Sequence, residues 1–427
     1  LADLVIGGSL TATGLTSEPR IAARLQSEAF DPRSLMASLG QAEPPLKNPD
    51  ALRHARFGAT VNATANNARV DDLAVELDQT KASGSAEVTM KNQAITARLS
   101  VDKINVDHYQ MAGSGDGGSS GGASTQSTPS SGQEPLLPLD TLRSLNLDTA
   151  LNIGTLIASG VALSKVDMKL TVRNGLVNLS RLNAKLYQGS TQSSATIDAR
   201  SDNPKWKINT RTNGVQVGPL LKDASEIDWI EGVVEFNGSL NGQGNTQHAL
   251  KKSLKGPASF SMNKGLLKEM NLEQTVCQGI ALINRQTLSQ SWGPNTELNT
   301  IEGKLQFGGG KIVNKSLTGG LKNTHLKGSG EVDMLREKMD YQLGIRILGT
   351  MREVDPACEV NKRYRDVYWP LRCAGKLSDE PKELCGVDES GMKEIANKML
   401  QEEIKQRAGD DLEKKATDEI NRYLRRL

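Results

Sequence analysis

The sequence predicts a mostly β protein, an elongated repeat of antiparallel β-hairpins forming a curved trough or β-helix-like sheet. Short rim helices and one long C-terminal helix complete the prediction. Three observations carry it. In stretch after stretch the apolar residues fall at every second position, the period that places them on one face of an extended chain. The same hairpin grammar returns in Ala68–Met90, Asn174–Arg200 and Gly310–Met334. Residues 391–427 then change period, with Met392, Ile395, Met399, Ile404, Ala408, Leu412, Ala416, Ile420 and Leu424 recurring near helical spacing.

The chain opens on a partial unit. Gly7–Leu10 resembles the close of a hairpin unit, and Arg20–Met36 resembles the strand and short turn that come after such a close elsewhere. Repeat arrays are capped at their ends, so a start in mid-unit predicts further residues upstream. Short helical turns are expected at Asp31–Leu39, Asp107–Tyr109 and Val217–Lys222, each after an alternating strand. Gln41–Asp50 carries Pro44, Pro45 and Pro49 and reads as a stiff connection.

Arg56–Tyr109 is the first full unit. Leu73, Val75 and Leu77 precede Gly84, followed by Ala86, Val88 and Met90, then by Ile95, Ala97, Leu99 and Val101. Residues 1–111 thus hold the partial unit and the first complete one. Residues 112–135 are Gly/Ser-rich, with almost nothing apolar to offset the entropy of ordering them, and read as a flexible loop.

The second full unit, Leu136–Leu221, begins with a helical turn at Leu142–Leu145. A turn on Gly175 leads to a strand around Val177–Leu179 and a second strand at Leu182, Ala184 and Leu186. A third strand carries Ala195, Ile197 and Ala199. Further on, Val234 and Phe236 mark a strand, Thr246 caps a helix over Asn245–Leu254, and Leu272–Ile283 has helical spacing. The third unit, Thr300–Ile347, closes with Val332 and Met334. Residues 136–348 are accordingly further β units with short helices, 349–390 a Cys-containing terminal module, and 391–427 the amphipathic helix.

Composition excludes several functions. The net charge is +2 and aromatics are 4%, so neither the basic stripe nor the stacking platform of a nucleic-acid binder is present. No run of about 18 apolar residues occurs to span a membrane. The motif Gly118, Ser120, Gly122 lies in the low-complexity tract, without the strand and helix that a nucleophile elbow needs. Lys311 comes after a glycine run but precedes Ile312, not the Ser or Thr of a phosphate-binding loop. The four histidines stand apart in sequence. No carboxylate pair is singled out by its spacing, so the chain is expected not to be an enzyme and to hold no metal or cofactor.

Cys277, Cys358, Cys373 and Cys385 are even in number, confined to the last third, and fit no common zinc spacing. They predict two disulfides in an oxidising compartment. Three connectivities are open; pinning the ends of the RYRDVYWPLR segment favours Cys358–Cys373, leaving Cys277 with Cys385.

Several stretches, taken in order, resemble the AsmA family of Gram-negative envelope proteins, specifically the carboxy-terminal periplasmic part. They are AFDPRSLMASLG (29–40), KINVDHYQ (103–110), LNAKLYQGS (182–190), NGVQVGPLLKD (213–223), LKGPASFSMNKGLLKEMNL (254–272), GKLQFGGGKIVNKSL (303–317), GSGEVDM (328–334) and CEVNKRYRDVYWPLRCAG (358–375). Each is a degenerate strand pattern; their order along the chain makes the likeness specific. The resemblance implies a periplasmic body, an inner-membrane helix upstream, and a role in outer-membrane biogenesis. It implies a phospholipid or another acyl-chain lipid as partner, carried along a trough between the two membranes, with an outer-membrane partner at the far end. A scaffold influencing outer-membrane protein assembly and lipopolysaccharide levels, without lipid transport, is the alternative. The family carries no catalytic residues.

If the trough exists, the alternating sets line it: Ala86, Val88, Met90; Ile95, Ala97, Leu99, Val101; Leu182, Ala184, Leu186; Ala195, Ile197; Val234, Phe236; and Val332, Met334. A face so rich in aliphatic residues must be covered, and acyl chains suit it at about 0.8 kcal/mol per buried methylene. A closed core in which the same residues pack on one another is the competing expectation.

Overall fold

Among the described residues nineteen strands make up 57%, so the fold is mostly β, as its alternating pattern predicts. The computed structural model describes residues 4–14, 16–110, 135–321, 324–348, 355–359, 367–395, 397, 398, 401 and 404. The expected Gly/Ser loop, apart from Pro135, lies outside the described residues, as does most of the expected C-terminal helix; residues 389–395 are helical.

The strands are β1 (Ile6–Thr13), β2 (Arg20–Ser27), β3 (Ala55–Thr64), β4 (Asn67–Leu77), β5 (Thr80–Thr89), β6 (Ala94–Asn105), β7 (Asn146–Ala158), β8 (Val161–Arg173), β9 (Leu176–Leu186), β10 (Gly189–Asp198), β11 (Lys205–Gln216) and β12 (Ile230–Gln243). They continue as β13 (Gly256–Leu267), β14 (Thr296–Gly308), β15 (Lys311–Leu321), β16 (Thr324–Asp333), β17 (Lys338–Ile347), β18 (Trp369–Lys376) and β19 (Cys385–Val387). The helices are α1 (Pro32–Ser38), α2 (Leu139–Ser144), α3 (Val217–Ser225), α4 (Gln247–Ser253), α5 (Leu272–Ile283) and α6 (Pro381–Leu384), with a 3-10 turn at Val106–Tyr109.

Two compact units are formed. The first holds Leu1–Gly265, Glu302–Asn314 and Val332–Glu337; the second holds Leu266–Ile301, Lys315–Glu331 and Lys338–Leu427. In the first, β1 to β12 pair in sequence order, antiparallel throughout except that β6 and β7 are parallel. Parallel neighbours need a crossover, because a tight turn can only reverse the chain. Here residues 106–145 supply it. The sheet is open: among the described residues, β1 pairs with β2 alone.

The turn expected at Gln188-Gly189 falls at Tyr187 and Gln188, whereas Gly84 lies inside β5 and the β4–β5 turn comes earlier, at Asp78. Asp78 closes β4–β5 with φ +51°, and Tyr187 and Gln188 close β9–β10 with φ +40° and +67°. Positive φ at both central residues, as at Tyr187 and Gln188, or at the first alone, as at Asp78, suits a tight right-twisted hairpin. One expectation is corrected here. Val177–Leu179 and Leu182–Leu186 are one strand, β9, whose pairing with β10 shifts register between Ser193 and Ala195. The three-residue step from Leu179 to Leu182 is an irregularity inside a strand, which alternation alone reads as a break. Similar shifts occur next to Asp72 in β4, Lys165 in β8 and Gly214 in β11, all at positive φ. An extra residue restores the phase, so the apolar set keeps to its own face.

The second unit is held by different means. Asn271 caps α5 by accepting from the Gln274 N–H at 2.8 Å. Leu272, Val276 and Ile280, with Cys277 and Ala281 beside them, form its buried stripe. The spacing of four keeps them on one helix face. The Cys277–Cys358 disulfide joins α5 to the 3-10 turn at Pro356–Cys358, and Cys373–Cys385 joins β18 to β19. The favoured Cys358–Cys373 pairing is therefore corrected: Cys373 and Cys385 face each other in the antiparallel register, with Cα atoms 4.0 Å apart.

Next to the long bridge, Asp355 is wholly buried. Burial alone would raise its pKa, but the N–H groups of Gln290, Ala357 and Ser289 and the Ser289 hydroxyl outweigh it and hold the carboxyl below its ordinary value. A lowered native pKa contributes stability that is present above the unfolded value, about 3.9, and lost as pH falls through the native one. The second unit should therefore lose stability below about pH 4, more steeply in the wild type than in Asp355→Asn; acid melting curves of equal slope would contradict this.

Candidate functional site

In the first unit, residues directly opposite across paired strands share a face, and tracing them gives continuous rows. One row runs Val88, Ile95, Leu147, Val172, Val177, Ile197, Trp206. The next runs Val70, Ala86, Ala97, Thr149, Leu170, Leu179, Ala195, Ile208, Leu240. A third begins Leu73, Gly84, Leu99, Leu151, Met168, Leu182, and a fourth begins Val75, Ala82, Val101, Ile153, Val166. Toward β1 the second row continues through Val61 and Ala23 to Leu10. The opposite face is polar, with pairs such as Arg181–Asp167 at 3.0 Å and Lys169–Asp148. On that face Arg200 hydrogen-bonds the Asp198 carboxyl and brings it down to about 2.

Most of the sequence-predicted lining residues lie on these rows. Ala86, Val88, Ile95, Ala97, Leu99, Val101, Leu182, Ala184, Leu186, Ala195, Ile197, Val234 and Phe236 share the apolar face. Met90 stands past the end of β5, 46% exposed. Val332 belongs to β16, and Met334, just beyond it, packs against a cluster built on Leu240, Ala258 and Phe307. Sequence reasoning left out the β7 and β8 contribution, Leu151, Ile153, Leu156, Leu163, Val166 and Met168. Its signal was present as alternation in residues 147–172, but bulged positions interrupt it.

At the centre of this face Ile153, Val166 and Ala184 are buried, and among the described residues the hydrophobic side chains packed against them come from β6 to β9. They bury one another sideways, as neighbours along the rows. Farther toward β1 the burial fades. β4 and β5 contain no fully buried residue although Val70, Leu73, Val75, Ala82, Ala86 and Val88 all sit on the apolar face. Apolar side chains left half-exposed along a whole face, unlike scattered surface leucines, mark a surface that takes a ligand or partner.

Both margins of the sheet are clamped. At one, Asp78 accepts from the N–H groups of Leu52, Arg53 and His54 and from the Tyr109 hydroxyl at 2.9 Å. Burial and that carboxylate push the Tyr109 hydroxyl up to about 12. Along the same margin Asp107 accepts from Ser159 and Gly160, and Tyr187 donates to Asp223 of α3 at 2.5 Å. At the other margin Arg143 of α2 donates to the Ala199 carbonyl and to Asp202, while Ser253 of α4 hydrogen-bonds the Gln243 backbone. Loop residues and rim helices thus fix the ends of the strands.

Among the described residues no three His, Cys, Asp or Glu side chains converge to hold a metal ion, and no helix is long and apolar enough to cross a membrane.

Comparison with known proteins bears on the same residues. The family described as AsmA family has a model that matches residues 46–292. Protein AsmA of Escherichia coli (strain K12) is 21% identical over 366 residues, which cover 84% of this chain and 58% of that protein. The chain thus spans a little over half the length of this relative. No solved structure matches the chain.

Proposed function

The chain belongs to the AsmA family, and from that premise we propose that it is the periplasmic part of an inner-membrane-anchored protein acting in outer-membrane biogenesis. In this reading it binds or conducts phospholipid between the inner and outer membranes along the apolar face of β1 to β12. One observation carries the proposal: apolar rows, interrupted at Gly84 and Thr149, run from β4 to β9 while much of their surface stays half-exposed. Acyl chains are a cover that makes no directional demands, so a lipid can slide along such rows without breaking specific bonds. The work is transport without covalent chemistry, and the protein is not an enzyme.

Mass spectrometry of the protein purified from the periplasm without detergent tests this. Diacyl lipid is expected at one or more molecules per chain. Lipid-free protein with the same melting curve would instead favour the scaffold role in outer-membrane assembly.

A further inference from the structure

The apolar face is not uniform. Between the aliphatic cluster on β6–β9 and the one built on Leu240, Ala258 and Phe307 lie two strands with hydroxyls on that face. Thr191 and Ser193 stand on β10, and Thr212 and Thr210 stand opposite them on β11. In the row direction the sequence of side chains is Ala184, Thr191, Thr212, Phe236 and, beside it, Leu182, Ser193, Thr210, Gly238. The hydroxyl belt is thus two strands wide, about 10 Å along the path at roughly 4.8 Å per strand. A Cβ at position 238 would stand 2.9 Å from the Phe236 ring, so that ring lies over Gly238 and walls the belt on the β12 side.

Counting protons shows what the belt lacks. Ser193 Oγ is 3.2 Å from Thr191 Oγ1 and 2.8 Å from Thr210 Oγ1, a ladder of three hydroxyls joined by two hydrogen bonds. Each hydroxyl has one proton, so whichever way the ladder is oriented one of its three O–H groups is unspent. Thr212 adds another. Among the described residues no acceptor takes either proton. Thr191 is 7% exposed, and a donor so placed is costly to leave unmade.

We propose that this belt is a carbonyl-recognition site in the lipid path, with an ester-linked acyl lipid as its ligand. The proposal rests on the trough reading and deepens it. An acyl ester brings its carbonyl oxygen, a hydrogen-bond acceptor, directly attached to chains that suit the aliphatic rows on either side. The unspent O–H donates to that oxygen while the tails lie on Leu182 and Ala184 to one side and Phe236 and Leu240 to the other. A charged headgroup has no counter-charge among these four hydroxyls and stays outside the belt. An ether-linked lipid of the same shape offers no carbonyl and leaves the donor unmade.

The test compares the two linkages. The full chain is incubated with vesicles containing equal amounts of dioleoyl phosphatidylethanolamine and its diether analogue, re-isolated, and its bound lipid is quantified by mass spectrometry. The wild type should retain the diester about fivefold over the diether, the size of one net hydrogen bond. The variant Thr191→Val/Ser193→Ala/Thr210→Val/Thr212→Val should bring the ratio to about one by lowering diester retention to the level of the diether, whose own retention should not change. Equal retention by the wild type, or a preference that survives in the variant, overturns the belt while leaving the trough intact. A wild type that retains neither lipid overturns the trough reading, and the belt with it.

Discussion

Val88→Asp should abolish lipid retention and yet leave melting within a few degrees of the wild type. Val88 is half-buried on β5, between Ala68 and Ile95, so the new carboxylate can turn toward water in the lipid-free protein. An acyl chain passing over it must strip that water, and an unpaired charge in a hydrocarbon environment is prohibitively costly. Val166→Asp provides the contrast. Val166 is 2% exposed at the centre of the β6–β9 cluster, where the same carboxylate is buried with no partner. Its cost should be about 4 kcal/mol, among the largest single-residue effects. For a unit of this size that is about 7 °C in melting temperature. Paired melting curves and lipid quantification decide the matter. Were Val88→Asp to melt as low as Val166→Asp, the face would be a closed core and the lipid path would have to be abandoned.

Removing the long disulfide should cost the second unit more than removing the short one. Cys277 and Cys358 are 81 residues apart, Cys373 and Cys385 only 12. Loop-closure entropy gives about 4.5 kcal/mol for the first and about 3 kcal/mol for the second. Cys277→Ala/Cys358→Ala also frees α5 from the Pro356–Cys358 turn beside the Asp355 clamp, so the carboxyl's pKa should relax toward its unfolded value and the acid sensitivity that it confers should fall. Cys373→Ala/Cys385→Ala leaves β18 and β19 paired through their remaining backbone register. Denaturant titrations of the two double variants under non-reducing conditions give the order. A larger loss from the short loop would show that restricting the unfolded chain is not what the long bridge contributes.

The period-two alternation by itself determined which side of each strand is apolar. That is a property of the extended backbone, whose side chains must alternate whatever the strand pairs with. Hence Ala86 and Val88, Ile95 to Val101, Leu182 to Leu186, and Ala195 and Ile197 share one face as their spacing requires. The hairpins β4–β5 and β9–β10 and the rim helices were legible for the same local reason, as was the cap on α4, where the Thr246 hydroxyl accepts from the Ala249 N–H at 3.1 Å.

Only the tertiary structure decided the rest. The Leu179–Leu182 step in β9 and the phase-restoring Lys165 in β8 carry no local mark that tells a bulge from a strand break, so β9 read as two strands and β8 was passed over. The parallel step from β6 to β7 joins segments separated by residues 106–145, and no short-range pattern encodes a partner that far away. The cysteine pairing is likewise a matter of register, since Cys373 meets Cys385 only because β18 and β19 are antiparallel neighbours. The hydroxyl belt needed both kinds of information. Its Ser and Thr residues are ordinary in a strand, and they became a ladder once β10 and β11 set Ser193 opposite Thr210, because cross-strand distance is fixed by pairing and not by sequence separation.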